Sequence, residues 1–274
     1  MFIIKIYRKL PISFRNKIYN IFLGTLINFI RCPHNPVWFY RGYKTKKKLL
    51  SLSTLFSDKA GIEIGGGTLL FSSNGFFPVY TFAEFVDGCN FSNETIWEGH
   101  IDSKSYMYSG IKLGEQFIGE AVDVASIVNK QYDFLISSNC LEHIANPLKA
   151  IKNWLSALKS NGQIMLVLPN KQSNFDHRRP YTTFSHLLED YHANVDEKDM
   201  NHLDEILTYH DIKRDRGAGN AEQFLNRSKD NYKNRCLHHH VFSASVLIEV
   251  YKFFNLKIIY CGEDWSSIYI IGIK

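Results

Sequence analysis

The 274 residues, 45% apolar and 22% charged with no low-complexity tract, are enough to bury a full core and exclude a wholly disordered chain. Cys32, Cys89, Cys140, Cys236 and Cys261 are odd in number and form no CxxC pair, which argues against a disulfide framework or a zinc knuckle and fits a reducing cytoplasm. The net charge of +5 is uneven: residues 1 to 57 hold eleven Lys or Arg and no acid, whereas the remaining 21 basic residues face 27 acidic ones.

In the basic start, Phe2, Ile3, Ile4, Ile6 and Leu10 are interleaved with Lys5, Arg8 and Lys9. That pattern suits a helix lying on anionic lipid, or one packing on the domain with a solvated basic face. The uncharged run Ile18 to Ile30 is shorter than the ~20 residues of a membrane span, and no small-residue cleavage site follows it. Residues 1 to 57 are therefore expected to form a basic amphipathic helical extension, with residues 1 to 31 as the candidate peripheral contact at the inner face of the cytoplasmic membrane.

A linker carrying Lys46-Lys47-Lys48 and a short helical stretch, Leu49 to Phe56, lead into a domain expected over 58 to 274. The first core strand lies around Ile62 to Ile64 and ends in Gly65-Gly66-Gly67, residues that let backbone approach a ligand closely. Thr81 to Asp87 reads as a second strand ending in an acid, Tyr132 to Ser138 as another, and Gln163 to Leu168 as a buried one closed by Pro169. Between the last two lies a helix with Pro147 in its first turn, Leu148, Ile151, Trp154, Leu155 and Leu158 on one face, and Asn161-Gly162 as the stop. This succession implies a right-handed parallel crossover.

Residues 170 to 240 break the rhythm: they are polar, carry eight of the eleven histidines and read as a substrate-binding insertion or lid. Ser243 then caps a helix bearing Val246, Leu247, Val250, Tyr251 and Phe254, and two apolar strands, Leu256 to Cys261 and Ser267 to Ile273, close the chain as a hairpin. An open α/β sheet binds its ligand outside the carboxyl ends of its strands, so Gly65, Asp87 and Asn139 should meet at one edge. Asp87 stands twenty residues after Gly67, the distance at which a carboxylate receives the hydroxyls of a ribose. Thr68-Leu69-Leu70-Phe71 leading to Pro78 does not continue a G-x-G-x-x-G turn into a helix, which weakens NAD binding.

Tyr132 to Ile144, with Pro147, Leu158, Lys159, Gly162 and Pro169, resembles the class I S-adenosylmethionine-dependent methyltransferases, and the type-11 pattern closely, over about residues 58 to 170. The resemblance implies a Rossmann-like α/β fold: a seven-stranded methyltransferase sheet with a C-terminal antiparallel hairpin, a large insertion before the last two strands and an N-terminal helical extension. It also implies that Glu63, Gly65, Gly66 and Gly67 line the methionine end of S-adenosyl-L-methionine, that Asp87 holds the ribose, that Glu120 with Ala121 sits at the adenine, and that Asn139 approaches the sulfonium side. Leu69 stands where that family often has a third glycine.

Phe175-Asp176-His177-Arg178-Arg179-Pro180 and Arg235-Cys236-Leu237-His238-His239-His240-Val241-Phe242 resemble a narrower bacterial group, methyltransferase-like proteins encoded with polysaccharide-assembly enzymes. That resemblance implies O-methylation of a surface-glycan sugar or its phosphate substituent, with a sugar, nucleotide-sugar or lipid-linked glycan as substrate. Methyl transfer to oxygen needs in-line approach, a base for the hydroxyl proton and exclusion of water. His177, eight residues past Pro169 with Asp176 adjacent, is the first expected base, and His143 beside Glu142 its rival. Arg178, Arg179 and Arg235 are the expected grips for phosphate or carboxylate, because a guanidinium makes bidentate contacts. His238, His239 and His240 are expected to bind substrate, and no metal is assigned. Three consecutive imidazoles cannot face one ion, so others such as Asp176, His202, His210 or Asp211 would have to converge.

Two other functions compete. One is a cofactor-free methyltransferase-like binding or scaffold protein of a glycan assembly complex, suggested by the broken segment after Gly67. The other, nucleic-acid methylation, rests only on the basic N-terminus and is not expected. Ser138-Asn139-Cys140-Leu141 replaces the aromatic, proline-rich tetrad that base amino-methylation would call for.

Overall fold

A computed structural model describes residues 36–274. The membrane contact expected of residues 1 to 31 therefore lies outside the described residues. Helix α1 (Pro36–Leu52) runs straight through Lys46-Lys47-Lys48, where a linker was expected. Thr45, Lys46, Leu49 and Leu52 recur at helical spacing on one buried face, while Lys44, Lys47 and Lys48 stay in solvent. The Lys46 ammonium lies 5.3 Å over the Phe76 ring, and burial lowers its pKa against the opposing charge of Asp264.

The chain continues through β1 (Ala60–Ile64), α2 (Val79–Phe82), β2 (Phe85–Asn90), a small ribbon of β3 (Glu94–Thr95) and β4 (Gly99–His100), β5 (Ser105–Tyr108), β6 (Ile111–Ile118), α3 (Val124–Ile127), β7 (Tyr132–Ser138), α4 (Pro147–Ser156) and β8 (Leu158–Pro169). The stretch expected as one strand from Thr81 to Asp87 divides into the end of α2 and the start of β2, and the strand runs on three residues past Asp87. Helices α5 (Phe184–Ala193), α6 (Leu203–Tyr209), α7 (Ala221–Lys229) and α8 (Asn231–Asn234) make up the insertion, followed by α9 (Ala244–Phe253), β9 (Lys257–Glu263) and β10 (Ser267–Ile273).

The sheet has the order β5-β6-β2-β1-β7-β8-β10-β9. Strands β6, β2, β1, β7 and β8 are parallel, and β10 lies antiparallel between β8 and β9. Strand β5, antiparallel to β6 at the far edge, is an eighth strand beyond the seven expected. Both faces are covered, as a parallel sheet requires. On one face, Leu148, Ile151 and Trp154 of α4 and Leu247 of α9 pack on Ile62, Leu135 and Ile164. On the other, Leu49 of α1 joins Phe56, Phe77, Phe134 and Tyr269. From β1 the chain turns to β2 on one side and later to β7 on the other, so the topological switch point falls at the carboxyl ends of β1 and β7. Among the described residues no helix is long and apolar enough to cross a membrane.

Candidate active site

Ile64 lies in register with Cys89 of β2 and Ser137 of β7, so Gly65, Asn90 and Asn139 emerge together at the switch point. Gly65 adopts φ 97°, a conformation that favours glycine, and donates its N–H to the Cys89 carbonyl at 2.9 Å. A Cβ there would stand 3.1 Å from that of Cys140. Asn139 is also left-handed, with φ 49°, a position Asn tolerates better than a β-branched residue. These turns, with Phe91, Trp97, Glu120, Ala121 and His143, line a half-open crevice at the strand ends. The Trp154 indole N–H donates to the Ala121 carbonyl at 2.8 Å, pinning the loop after β6 to the core.

Of the expected cofactor residues, Gly65, Gly66, Glu120, Ala121 and Asn139 line this crevice, and Gly67 lines the groove that adjoins it. Two do not. Glu63 is fully buried behind the strand, where its Oε2 accepts the hydroxyls of Tyr80 at 2.6 Å and Tyr106 at 2.8 Å. Successive residues of a strand point to opposite faces, so with Ile64 at the crevice Glu63 turns away. It reaches the glycine loop indirectly, since the Tyr80 hydroxyl accepts the Thr68 N–H at 3.1 Å. Asp87 pairs with Ile62, short of the strand end. Its carboxylate is taken up by the Glu115 N–H, the Tyr132 hydroxyl and Lys130, each at 2.8 Å. The residue that β2 delivers to the crevice is Asn90, whose amide donates to Glu98 at 3.4 Å. Glu98, from the turn between β3 and β4, also accepts the Gly67 N–H at 3.3 Å, so a carboxylate reaches the glycine loop from outside the sheet.

Burial lifts the Glu63 carboxyl from 4.5 to about 8, its two tyrosine hydrogen bonds opposing the shift. The folded state thus keeps a proton that the unfolded chain releases above pH 4.5. The contribution of Glu63 to stability is therefore fully present below that value and declines as pH rises toward 8. Denaturant unfolding at pH 5 and pH 8 should show the natural protein losing at least about 1 kcal/mol relative to Glu63→Gln, which stays neutral throughout. Gly65→Ala forces a Cβ into a left-handed position, which costs about 1–2 kcal/mol. We expect a matching loss of stability and about tenfold weaker binding of S-adenosylhomocysteine by calorimetry.

The groove beside the crevice is bounded by Gly66, Gly67, Thr68, Trp97, Glu98, Ser138, Asn139 and His143. Beyond it a cleft of about 880 Å³ opens between Lys46, Thr68, Ser138, Asn139, Asp264 and Ser266. Asn139 borders all three spaces.

His143, expected as the lesser of two bases, is the histidine that borders crevice and groove. Its Nδ1 donates to the Leu237 carbonyl at 3.0 Å, which leaves Nε2 with the lone pair. Burial, with the nearby His238, depresses its pKa to about 3, so the ring is neutral at physiological pH. Glu142 beside it is buried, and among the described residues neither of its carboxylate oxygens has a hydrogen-bond partner; burial pushes it to about 7 against the charge of His238.

His177 instead pairs with Asp211 at 3.0 Å and borders neither crevice, groove nor cleft. Asp176 does not serve it: Asp176 meets His238 Nδ1 at 2.5 Å and Arg179 at 3.0 Å. Burial opposes ionisation of Asp176, but His238 and Arg179 outweigh it and hold the carboxyl at about 2. Arg179 is itself buried, bound also to Glu205 at 2.8 Å and to the carbonyls of His238 and His239. It joins insertion to insertion and offers no free fork to a substrate. Arg178 is exposed and pairs with Asp211 at 3.3 Å. Arg235 does reach the crevice, yet its guanidinium is spanned by Glu120 at 2.6 Å and Glu197 at 2.7 Å. The three consecutive imidazoles part company: His238 turns to Asp176, His239 to Asn231 at 3.1 Å, and His240 to the Ala145 carbonyl at 3.1 Å.

The family described as "Methyltransferase domain" matches residues 37–259, most of the chain. The chain belongs to that family. It is accordingly a methyltransferase, with S-adenosylmethionine as its cofactor, and the crevice fits that ligand. Gly65 and Gly66 line the crevice, and polar groups from three strand ends converge on one space. No curated protein matches the chain at a significant level. Among solved structures, a SAM-dependent methyltransferase from Aquifex aeolicus is similar at 10% identity and a TM-score of 0.44, covering 83% of this chain and 88% of that one. Magnesium protoporphyrin IX methyltransferase from Synechocystis PCC 6803, with bound SAH, is similar at 9% identity and a TM-score of 0.39, covering 85% of each. At that distance nothing about an acceptor passes from them to this chain.

Asn90, Trp97, Glu98 and Glu197 are site residues that the sequence did not single out. For Asn90 the signal was present, since the apolar run continues through Gly88-Cys89 to a polar residue. Glu197 carries no local signature.

Proposed function

We propose that this methyltransferase transfers a methyl group to a hydroxyl oxygen of a sugar or sugar-phosphate during assembly of a surface polysaccharide. The observation that carries the reading is the junction at Asn139, where the crevice adjoins a groove and cleft that set Thr68, Ser138, Glu98, Asp264 and Ser266 beside the rings of Trp97, Phe76 and Tyr269. Polar side chains beside aromatic faces suit a polyhydroxylated acceptor, whose hydroxyls need hydrogen-bond partners and whose C–H faces pack on rings. The likeness of Phe175 to Pro180 and Arg235 to Phe242 to polysaccharide-associated proteins supports the same acceptor class.

When bound, the cofactor supplies a methyl group carried on positively charged sulfur. Gly65 to Gly67 would hold its methionine end, Asn90 with Glu98 its ribose, and Glu120, Ala121 and Phe91 its adenine. Asn139 would hold the acceptor oxygen in line. His143 Nε2 takes the hydroxyl proton, and the Glu142 carboxylate stabilises the resulting imidazolium. A phosphate on the acceptor would meet Lys46 in the cleft, because Arg179 and Arg235 are already neutralised. Basic residues within 1 to 31 would keep the enzyme near lipid-linked acceptors at the inner face of the cytoplasmic membrane.

Mass spectrometry of surface polysaccharide from a strain lacking this protein tests the reading. The expected result is loss of one methyl group per repeat, restored by the natural gene and not by the His143→Ala form. Unchanged methylation would overturn it.

A further inference from the structure

The insertion contains a second cluster away from the crevice. His186 and Asp190 stand four residues apart on one face of α5, His202 caps the start of α6, and His240 lies between α8 and α9. One nitrogen from each ring and one Asp190 oxygen all fall within 4.8 Å of one another. His186 Nε2 is 3.1 Å from His202 Nε2 and 3.3 Å from Asp190 Oδ2, and His240 Nε2 is 3.7 Å from the same oxygen. Ligands at 2.0–2.1 Å from a tetrahedral ion are separated by about 3.3 Å, so the spacings at His186 are those of a coordination shell, and His240 would close in by a few tenths of an ångström.

Hydrogen bonding satisfies only part of the cluster: His186 and His202 share one N–H between their Nε2 atoms, and His240 Nε2 donates to the Ala145 carbonyl. Asp190 is only 8% exposed, and among the described residues its Oδ2 has no hydrogen-bond partner. His240 Nε2, 3.7 Å from that oxygen, would exchange its bond to the Ala145 carbonyl for the cation and leave the proton to the unpartnered Nδ1. Two imidazole Nε2 atoms and a carboxylate oxygen without a hydrogen bond converge on one point, an arrangement that a cation satisfies more fully than one shared proton does. The Asn146 amide donates to the Asp190 carbonyl at 3.0 Å and fixes that turn of α5 against the loop after β7. His186 and His202 are only partly buried, which leaves a way in.

We propose that His186, Asp190, His202 and His240 form a closed, four-ligand site for one zinc ion. Three imidazoles and a carboxylate would fill all four positions of a tetrahedral ion, which describes a structural rather than a catalytic zinc. The ion would tie α5, α6 and the segment before α9 together. That segment runs directly from His238 and Leu237, the partners of His143, so the zinc would brace the wall of the candidate active site.

The test uses full-length, tag-free protein. Elemental analysis should find about one equivalent of zinc, and titration against a chromogenic zinc chelator should give a saturable site. His202→Ala and Asp190→Asn should each weaken zinc binding at least about 100-fold, whereas His192→Ala, an exposed histidine on the same helix, should leave it unchanged. The natural protein's own stoichiometry decides the matter even where a variant fails to fold. Folded natural protein that carries no zinc and does not compete with the chelator would overturn the proposal, as would equal loss in His192→Ala.

Discussion

Arg179→Met is expected to lower the stability of the protein by about 3–5 kcal/mol in urea unfolding. The methionine fills the volume but leaves Asp176 buried without its guanidinium and strips the carbonyls of His238 and His239 of their donors. Removing one partner of a buried, hydrogen-bonded ion pair uncovers the full desolvation cost of the other. Arg178→Met, one residue earlier, should change stability by less than about 0.5 kcal/mol, because an exposed pair with Asp211 is screened by water. Equal effects at the two positions would show that Arg179 is no hub.

His143→Ala is expected to lower kcat by about 10²–10⁴-fold, the usual range for losing a positioned general base. Its Nδ1 is committed to the Leu237 carbonyl, so only Nε2 can take a proton from an acceptor in the groove. With its pKa depressed to about 3 the ring itself stays neutral, so any loss of activity on acidification near pH 7 would come from the Glu142 carboxyl, held at about 7, and not from His143. His177→Ala should retain kcat within about threefold, since that ring is held by Asp211 outside the three spaces. Binding of S-adenosylhomocysteine separates a chemical loss from a cofactor one: it should persist in both variants. Comparable kcat losses at His143 and His177 would contradict the assignment.

The fold was legible wherever apolar runs met punctuation. Tyr132 to Ser138 and the amphipathic helix after Pro147 stand where periodicity put them, because both are buried elements with clear starts. The second strand was misplaced because an apolar run, Thr81 to Val86, crosses from a short helix into a strand without a breaker. That slip moved the expected ribose carboxylate from the strand end to its interior and hid Asn90. The linker at Lys46 to Lys48 failed for a related reason: three consecutive charges suggest solvent, but helical spacing sends Lys46 inward and the other two out.

Within the site, backbone-driven residues were readable and side-chain pairings were not. Gly65, Gly66 and Asn139 reach the crevice because strand ends fix them. Arg179 and Arg235 have the composition of anion grips, yet Asp176 and Glu205 for one, and Glu120 and Glu197 for the other, arrive from 3 to 115 residues away. The same holds for His177, whose carboxylate is Asp211, 34 residues distant, and not its neighbour Asp176. No local pattern records such meetings.

The space between Gly65, Asn90, Glu120 and Asn139 is expected to hold the cofactor despite the broken segment after Gly67. Calorimetric titration of the folded protein with S-adenosylhomocysteine tests it most directly. One saturable site per chain is predicted; folded protein that shows no saturable binding would contradict it.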